Sequence, residues 1–218
     1  VAAPHLQHLI QMVGQNASRL ERIVDEVLNI SRVPANSLGS APPSMVLNET
    51  VERICRDWSQ HAVSGARFRL DLCNGEPRVL FDSEHMRRVL VNLLDNARRY
   101  ASDANDAIQV FTALGADRHY LLSIWSDGAQ MEESVERHLF EPFFSSESRS
   151  TGLGLYICRE LCEGHGATIG FKRSARATAR GRQDGNEFRI ALEQAEQPGA
   201  HTVASDRTPS TTWQQHRL

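Results

Sequence analysis

The chain contains no apolar run near the ~18 residues that a membrane-crossing helix needs, so no helical span is expected within it. It lacks a charge excess: 24 Lys and Arg against 27 Asp and Glu leave −3, which excludes nucleic-acid binding driven by bulk charge. It lacks a secretory leader and an initiating methionine, and is expected to be a fragment or a processed product. Cysteine is sparse, with Cys55, Cys73, Cys158 and Cys162 forming no CxxC pair. Cys158 and Cys162 share one helical face, which suits a metal only if other ligands join them. The plainer reading is small side chains buried in a reducing compartment.

What is present is ordinary globular material: 218 residues, 40% hydrophobic and 23% charged, enough for one sizeable core plus extras. Residues 5–33 read as one helix. Ile10, Val13, Ala17, Leu20, Val24 and Val27 recur at steps of four and three, a heptad seam that needs a partner helix. The organisation expected is therefore an incomplete helical segment over 1–33, a Pro- and Ser-rich linker over 34–44, a main domain over 45–192 and a disordered tail over 193–218.

Within the main domain, "LNETVERICRDWSQH" reads as a helix capped by Asn48. "RFRLDL" and "PRVLFD" alternate like strands around the turn material Asn74-Gly75. "SEHMRRVLVNLLDNARRY" is a strong helix, and "AIQVFTAL" and "YLLSIW" are further strands. A short helix to about Phe140 and another over about 152–163 follow, and "ATIGF" and "EFRIAL" close the pattern. Strands and helices mix without strict alternation, which predicts an α+β fold with helices on one face of a mostly antiparallel sheet.

Two places carry chemistry. Asn92 and Asn96 are one turn apart on a helix whose other face, with Val89, Leu90, Leu93, Leu94 and Ala97, is apolar. Two amides on one edge can hold a hydrated Mg²⁺ through oxygen. Arg99 can reach a phosphate, and Tyr100 offers a ring to a base. The alternative is a solvated polar face. In "SSESRSTGLGLYICREL", Gly152 and Gly154 let the backbone approach a ligand, and the helix they open turns its positive end toward an anion. Residues 145–150 then read as a cover hinged at Phe143 and Phe144; the alternative is a plain glycine-capped loop.

Together these segments resemble a known family. "NLLDNARRY", "SDGAQM", "LFEPFF" and "STGLGLYICREL" stand in the order and at the spacings of the N, G1, F and G2 boxes of sensor histidine kinases. The resemblance covers roughly residues 45–192, and "NASRLERIVDEVLNISR" is similar to the second helix of the dimerisation and phosphotransfer hairpin. Within the family the chain looks most like the pilus-regulating sensor kinases. The resemblance implies the Bergerat fold, a two-layer α/β sandwich, binding ATP with Mg²⁺ and passing the γ-phosphoryl to a histidine. It makes Asn96 the Mg²⁺ ligand, and groups Asn92, Asn96 and Arg99 as the catalytic set. Tyr100, Ser126, Asp127, Gly128, Arg149, Thr151, Gly152, Leu153, Gly154 and Leu155 are then expected to line the nucleotide. It implies a response-regulator receiver domain as partner, a homodimer through the N-terminal helix, and no nucleic acid. The domain is expected to be cytoplasmic, with the intact protein anchored in the inner membrane through a part absent here.

The pattern departs from the family at two points. The G1 box is usually Asp-x-Gly-x-Gly; here Ser126 stands where the adenine-reading Asp is expected, and Gln130 replaces the second glycine. A hydroxyl accepts a hydrogen bond but carries no charge. Asp127 can substitute only if the loop shifts. The acceptor histidine is normally followed by an acidic residue, whereas His5 and His8 are each followed by Leu, so the acceptor is expected upstream and the fragment is expected not to phosphorylate itself. Two other readings stay open: a degenerate kinase serving as a scaffold or nucleotide sensor, and another Bergerat-fold ATPase.

Overall fold

The computed structural model describes Gly14 and residues 42–61, 68–115, 117–144 and 151–195. The heptad seam, most of the linker, the tail beyond 195 and Arg149 lie outside the described residues. Strand β1 (Ser44–Val46) runs straight into α1 (Leu47–His61). There follow β2 (Arg69–Asp71), β3 (Arg78–Leu80), α2 (Ser83–Tyr100), β4 (Ile108–Leu114), β5 (His119–Ser126), the short α3 (Glu133–Arg137), α4 (Gly154–Gly164), β6 (Thr168–Thr178) and β7 (Gly181–Glu193).

The helices form because their apolar residues fall on one stripe. Helix α1 buries Leu47, Val51, Ile54, Cys55 and Trp58, and α2 buries Met86, Val89, Leu90, Leu93, Leu94 and Ala97. Asp82 caps α2, its Oδ1 accepting from Glu84 N and His85 N at 2.9 Å. Helix α4 contributes Ile157, Cys158, Leu161 and Cys162. All three stripes meet the same face of a five-stranded sheet, ordered β2-β4-β5-β7-β6. Only β2 runs parallel to its neighbour; the remaining pairs are antiparallel. This is the α+β two-layer sandwich expected, with helices on one side.

The two-residue period of the strands sorts side chains by face. Val110, Leu122, Ile124, Phe188, Ile190 and Leu192 enter the core under the helices. Their alternates, Gln109, Phe111, Ser123, Trp125 and Glu187, occupy the opposite, outer face. That face is not open. Strand β5 ends at Ser126, paired with Asn186, but β6 and β7 continue to each other as far as Thr178 and Gly181. Beyond β5 the hairpin curls back across the outer face. Trp125 Nε1 donates to Ser174 O at 3.0 Å, and Gln109 Nε2 donates to Ala177 O at 3.0 Å. The Arg176 guanidinium sits 3.6 Å over the Phe111 ring and donates to Gln109 Oε1 at 2.9 Å. These partners lie on β4 and β5, although β6 is the far edge strand of the sheet. Gly185 permits the crossing: a Cβ there would stand 2.3 Å from Ser126 O and from the Trp125 ring.

Glu187 lies beneath the curl, buried, accepting from Ser123 Oγ at 3.1 Å, Ser174 Oγ at 2.6 Å and Arg189 at 2.9 Å. Burial pushes its carboxyl up, but Ser174, Arg189 and Lys172 outweigh that and hold it below the usual range.

Four expectations are corrected. The two strand-like segments read around Asn74-Gly75 do not pair with each other: β2 joins the large sheet beside β4, whereas β3 pairs with β1 in a separate two-stranded sheet. Asn48 is not a cap, because α1 already begins at Leu47. Its Nδ2 instead donates to Cys73 O at 2.8 Å and Gly75 O at 3.1 Å, and its Oδ1 accepts from Thr112 Oγ1 at 2.9 Å. The last two strands are far longer than "ATIGF" and "EFRIAL". Helix α4 starts at Gly154 rather than Gly152. The cysteines are free, and Cys55, Cys158 and Cys162 are buried. Burial pushes the Cys55 and Cys162 thiols up to about 12, so both stay protonated. Among the described residues no three His, Cys, Asp or Glu side chains gather to hold a metal, and no helix is long and apolar enough to cross a membrane.

Candidate functional site

Helices α2 and α4 cross at Asn92. Its Oδ1 lies 3.5 Å from where a Cβ on Gly154 would stand. One turn along α4, the Cys158 thiol donates to Val89 O on α2 at 3.7 Å. Asn92 therefore lies against the first turn of α4. Asn96 follows one turn along α2, half-buried, and Arg99 and Tyr100 are exposed at the end of that helix. The residue before α4 is Leu153, which makes no side-chain cap bond and is 2% exposed, anchored in the core. Leu155 packs half-buried against the core from the next turn. Thr151 Oγ1 accepts from Leu153 N at 3.3 Å. Two amide oxygens beside a helix N-terminus suit a hydrated divalent cation bridged to an anion.

Gly152 has φ +70°, and a Cβ there would stand 2.6 Å from Phe143 C and 2.8 Å from Phe144 N. Phe143 also has positive φ, 63°, and its ring is 66% exposed. The backbone before residue 145 thus touches the backbone after residue 150. Both ends of the expected cover are anchored at one point.

On the other side of Tyr100 lies the segment after β5. Ser126 is buried at the end of the strand, on the helix-facing side with Leu122 and Ile124. Gly128 packs under the end of α2: a Cβ there would stand 2.9 Å from Tyr100 O. The Asp127 carboxylate accepts from Ser102 N at 2.8 Å, from Ser102 Oγ at 2.6 Å, and from Arg180. Burial raises its pKa, but the Ser102 bonds and Arg180 outweigh this and hold it below the usual carboxylate range.

The structure thus gathers Asn92, Asn96, Thr151, Gly152, Leu153, Gly154 and Leu155 around the α2–α4 crossing. Tyr100 and Gly128 meet at the other end of α2, beside Ser126 and Asp127. The sequence reading missed Ser102, Arg173, Arg180 and Asn186, all of which contact residues 127–129 or one another. For Arg173 and Arg180 the signal was the alternation of small and charged residues over 172–184, which reads as a long hairpin once both strands are extended. A groove of about 350 Å³ between α1 and α2, lined by Trp58, His61, Arg87, Val91 and Arg98, contains none of the expected site residues.

A family model described as histidine kinase-, DNA gyrase B- and HSP90-like ATPase matches residues 81–196. The chain belongs to that family. The sensor protein kinase PilS of Pseudomonas aeruginosa is 30% identical over 169 residues, covering 76% of this chain and 31% of that one. The mycobacterial sensor histidine kinase MprB superposes with a TM-score of 0.59 at 22% identity, covering 72% of this chain and all of that one. Full-length ShkA in complex with AMPPNP gives a TM-score of 0.65 at 18% identity, covering 88% of this chain and 39% of that one. These structural likenesses show the shared fold. With sensor kinases among its relatives by sequence, the chain carries a sensor histidine kinase ATPase domain. It spans under a third of the length of the curated relatives it matches.

Proposed function

We infer that this domain binds ATP with Mg²⁺ and supplies the γ-phosphoryl to a histidine of the whole sensor kinase outside the domain, from which a response-regulator receiver domain takes it. The observation that carries the reading is the α2–α4 crossing, where Asn92 and Asn96 stand beside a helix N-terminus opened by a glycine pair. Asn96 would hold the Mg²⁺ through its amide oxygen, with Asn92 one turn behind it. The cation neutralises phosphate charge when bound. Gly152, Leu153, Gly154 and Leu155 would present backbone N–H groups to the phosphates, and Thr151 shapes the turn before them. Arg99 adds a cation beside them; Arg149 is assigned the same task from the cover. Tyr100, Ser126 and Gly128 would form the base end. Phosphoryl transfer asks mainly for such positioning and charge neutralisation. The AMPPNP complex of ShkA, which shares the fold, supports a nucleotide as the ligand. The resemblance of the sequence to pilus-regulating sensor kinases makes a regulator of type IV pilus transcription the downstream target on this reading. The same resemblance would give the whole protein a homodimer through the N-terminal helix and an inner-membrane anchor. His5 and His8 lack the acidic follower of an acceptor, so the domain alone would not phosphorylate itself.

A second reading, a nucleotide-sensing or scaffold module without turnover, is favoured by Ser126 and by the engagement of Asp127 elsewhere. Calorimetric titration with a non-hydrolysable ATP analogue and Mg²⁺ separates the two. Micromolar to low-millimolar binding that Asn96→Ala abolishes supports the kinase reading. No heat and no thermal stabilisation at millimolar analogue would refute nucleotide binding altogether. Binding to the whole protein without label transfer from ATP would leave the sensing module.

A further inference from the structure

The curled β6–β7 hairpin reaches past the sheet to the segment that follows β5. Arg180, at its tip, donates to the Asp127 carboxylate and, at 3.1 Å, to Ser102 Oγ. Ala179 N donates to Asp106 Oδ2 at 2.5 Å. Lower on the hairpin, Arg173 Nη1 donates to Gly128 O at 2.8 Å and to Asn186 Oδ1 at 2.9 Å, while Asn186 Nδ2 donates to Ala129 O at 2.9 Å. Each of residues 127, 128 and 129 is therefore tied by a different side chain of one hairpin. Asp127 passes the tie onward, because Ser102 gives it both its amide and its hydroxyl. Ser102 stands two residues beyond Tyr100, at the exit of the helix that carries Asn96 and Arg99.

The pattern of burial separates this arrangement from a decorative surface pair. The Arg180 side chain is 49% exposed, and a pair at such a tip adds little to global stability. The Asp127 side chain is only 4% exposed, so its charge must be met where it stands. Two of the three ties end on main chain, at Gly128 O and Ala129 O, and the third, from Arg180, reaches main chain through Asp127, which accepts from Ser102 N; all three lie at the edge of the proposed nucleotide site rather than in the core. Contacts that hold a loop without holding the fold are those expected of a positioning device.

Resting on the nucleotide reading above, we propose that Arg180 is a positioning residue for the base end of the site: through Asp127 and Ser102 it presets residues 127–130 against the end of α2. Asp127 is then structural, and Ser126 is the polar side chain left at the strand end to meet the base.

The test uses the protein with Arg180→Ala, Arg180→Lys and Arg176→Ala. Arg176 holds the same hairpin to the outer face but makes none of the bonds to residues 127–129. Two measurements are made: Mg-dependent titration with a non-hydrolysable ATP analogue, and hydrogen exchange at the Ser102 and Asp127 amides without nucleotide. Arg180→Ala is expected to weaken nucleotide binding roughly threefold to tenfold, the loss of a partly exposed charge-assisted bond, and to speed exchange at Ser102. Arg180→Lys recovers part of both. Arg176→Ala is expected to lower the melting temperature while leaving affinity within about twofold. Unchanged affinity or unchanged exchange in Arg180→Ala overturns the proposal, and so does an equal loss of affinity in Arg176→Ala. If the unaltered protein binds no nucleotide, its own titration shows that the nucleotide reading has failed, and the positioning role falls with it.

Discussion

Gly152 and Gly154 lie two residues apart and do different work. At Gly152 a side chain meets both a left-handed backbone and the peptide of Phe143 and Phe144. Gly152→Ala is expected to cost more than ~2 kcal/mol in urea unfolding, from strain and clash together. At Gly154 the nearest neighbour of a Cβ is Asn92 Oδ1 at an ordinary 3.5 Å, and φ is not positive. Gly154→Ala should therefore leave stability unchanged or raise it by up to ~1 kcal/mol through helix propensity, while weakening nucleotide binding. Equal stability losses at the two positions would contradict this account. Another residue-scale effect concerns His165, whose Nε2 lies 2.8 Å from His85 Nδ1 and whose ring packs 4.4 Å from Phe81. Burial lowers its pKa below the usual 6.5, His85 lowers it further, and Asp82 offsets part of this. The unfolded chain then binds the proton more readily, so the contribution to stability is complete above pH 6.5 and declines as pH falls toward the folded value. A His165→Gln variant should show a flatter stability profile between pH 5 and 7, checked by urea midpoints across that range.

Among the elements, α1 shows how a helix pins distant chain. Asn48, in its first turn, holds the turn after β2 and the hydroxyl of Thr112 on β4 at once. Asn48→Ala should cost about 1–3 kcal/mol by leaving those partners unmet, measured by chemical denaturation. The helices were legible in the sequence because the 3.6-residue stripe is strong: α1 begins and ends where its apolar spacing does, and α2 likewise. The N-box segment was legible because it lies within one such element, whereas the G2 segment straddles the start of α4, with Gly152 and Leu153 before the helix. Pairing was less so. The period of β2 and β3 is the same whether they join each other or not, and three-residue strands carry too little pattern to choose. The curl of β6 and β7 was hidden for another reason. Its residues are polar because they meet polar partners, Arg176 on the outer face and Arg180 on the segment after β5, and polarity in a one-dimensional reading marks solvent. The ties of Asp127 were hidden likewise, since its partners are far away in sequence, 25 residues for Ser102 and 53 for Arg180.

At the scale of the whole molecule, two carboxylates tie the curled hairpin to the rest. Glu187 and Asp127 both titrate below their ordinary values of 4.5 and 3.8, so each contributes stability that is fully present above those values and is lost as pH falls through the lower folded ones. Acid should therefore loosen the hairpin and the base-end segment together. Urea midpoints are expected to fall steeply only below about pH 4.5, and Glu187→Gln should remove part of that slope while lowering stability at neutral pH. The order of the chain adds a consequence in time. As the polypeptide leaves the ribosome, α2, β4, β5 and the glycine-led helix can pack before the hairpin is complete. The braces of residues 127–129, at Arg173, Arg180 and Asn186, emerge after every element they steady. On the proposed reading, a nascent chain halted before Asn186 would have its α2–α4 crossing packed and residues 127–129 unbraced, so the grip on a nucleotide would await β7, the last of the described strands.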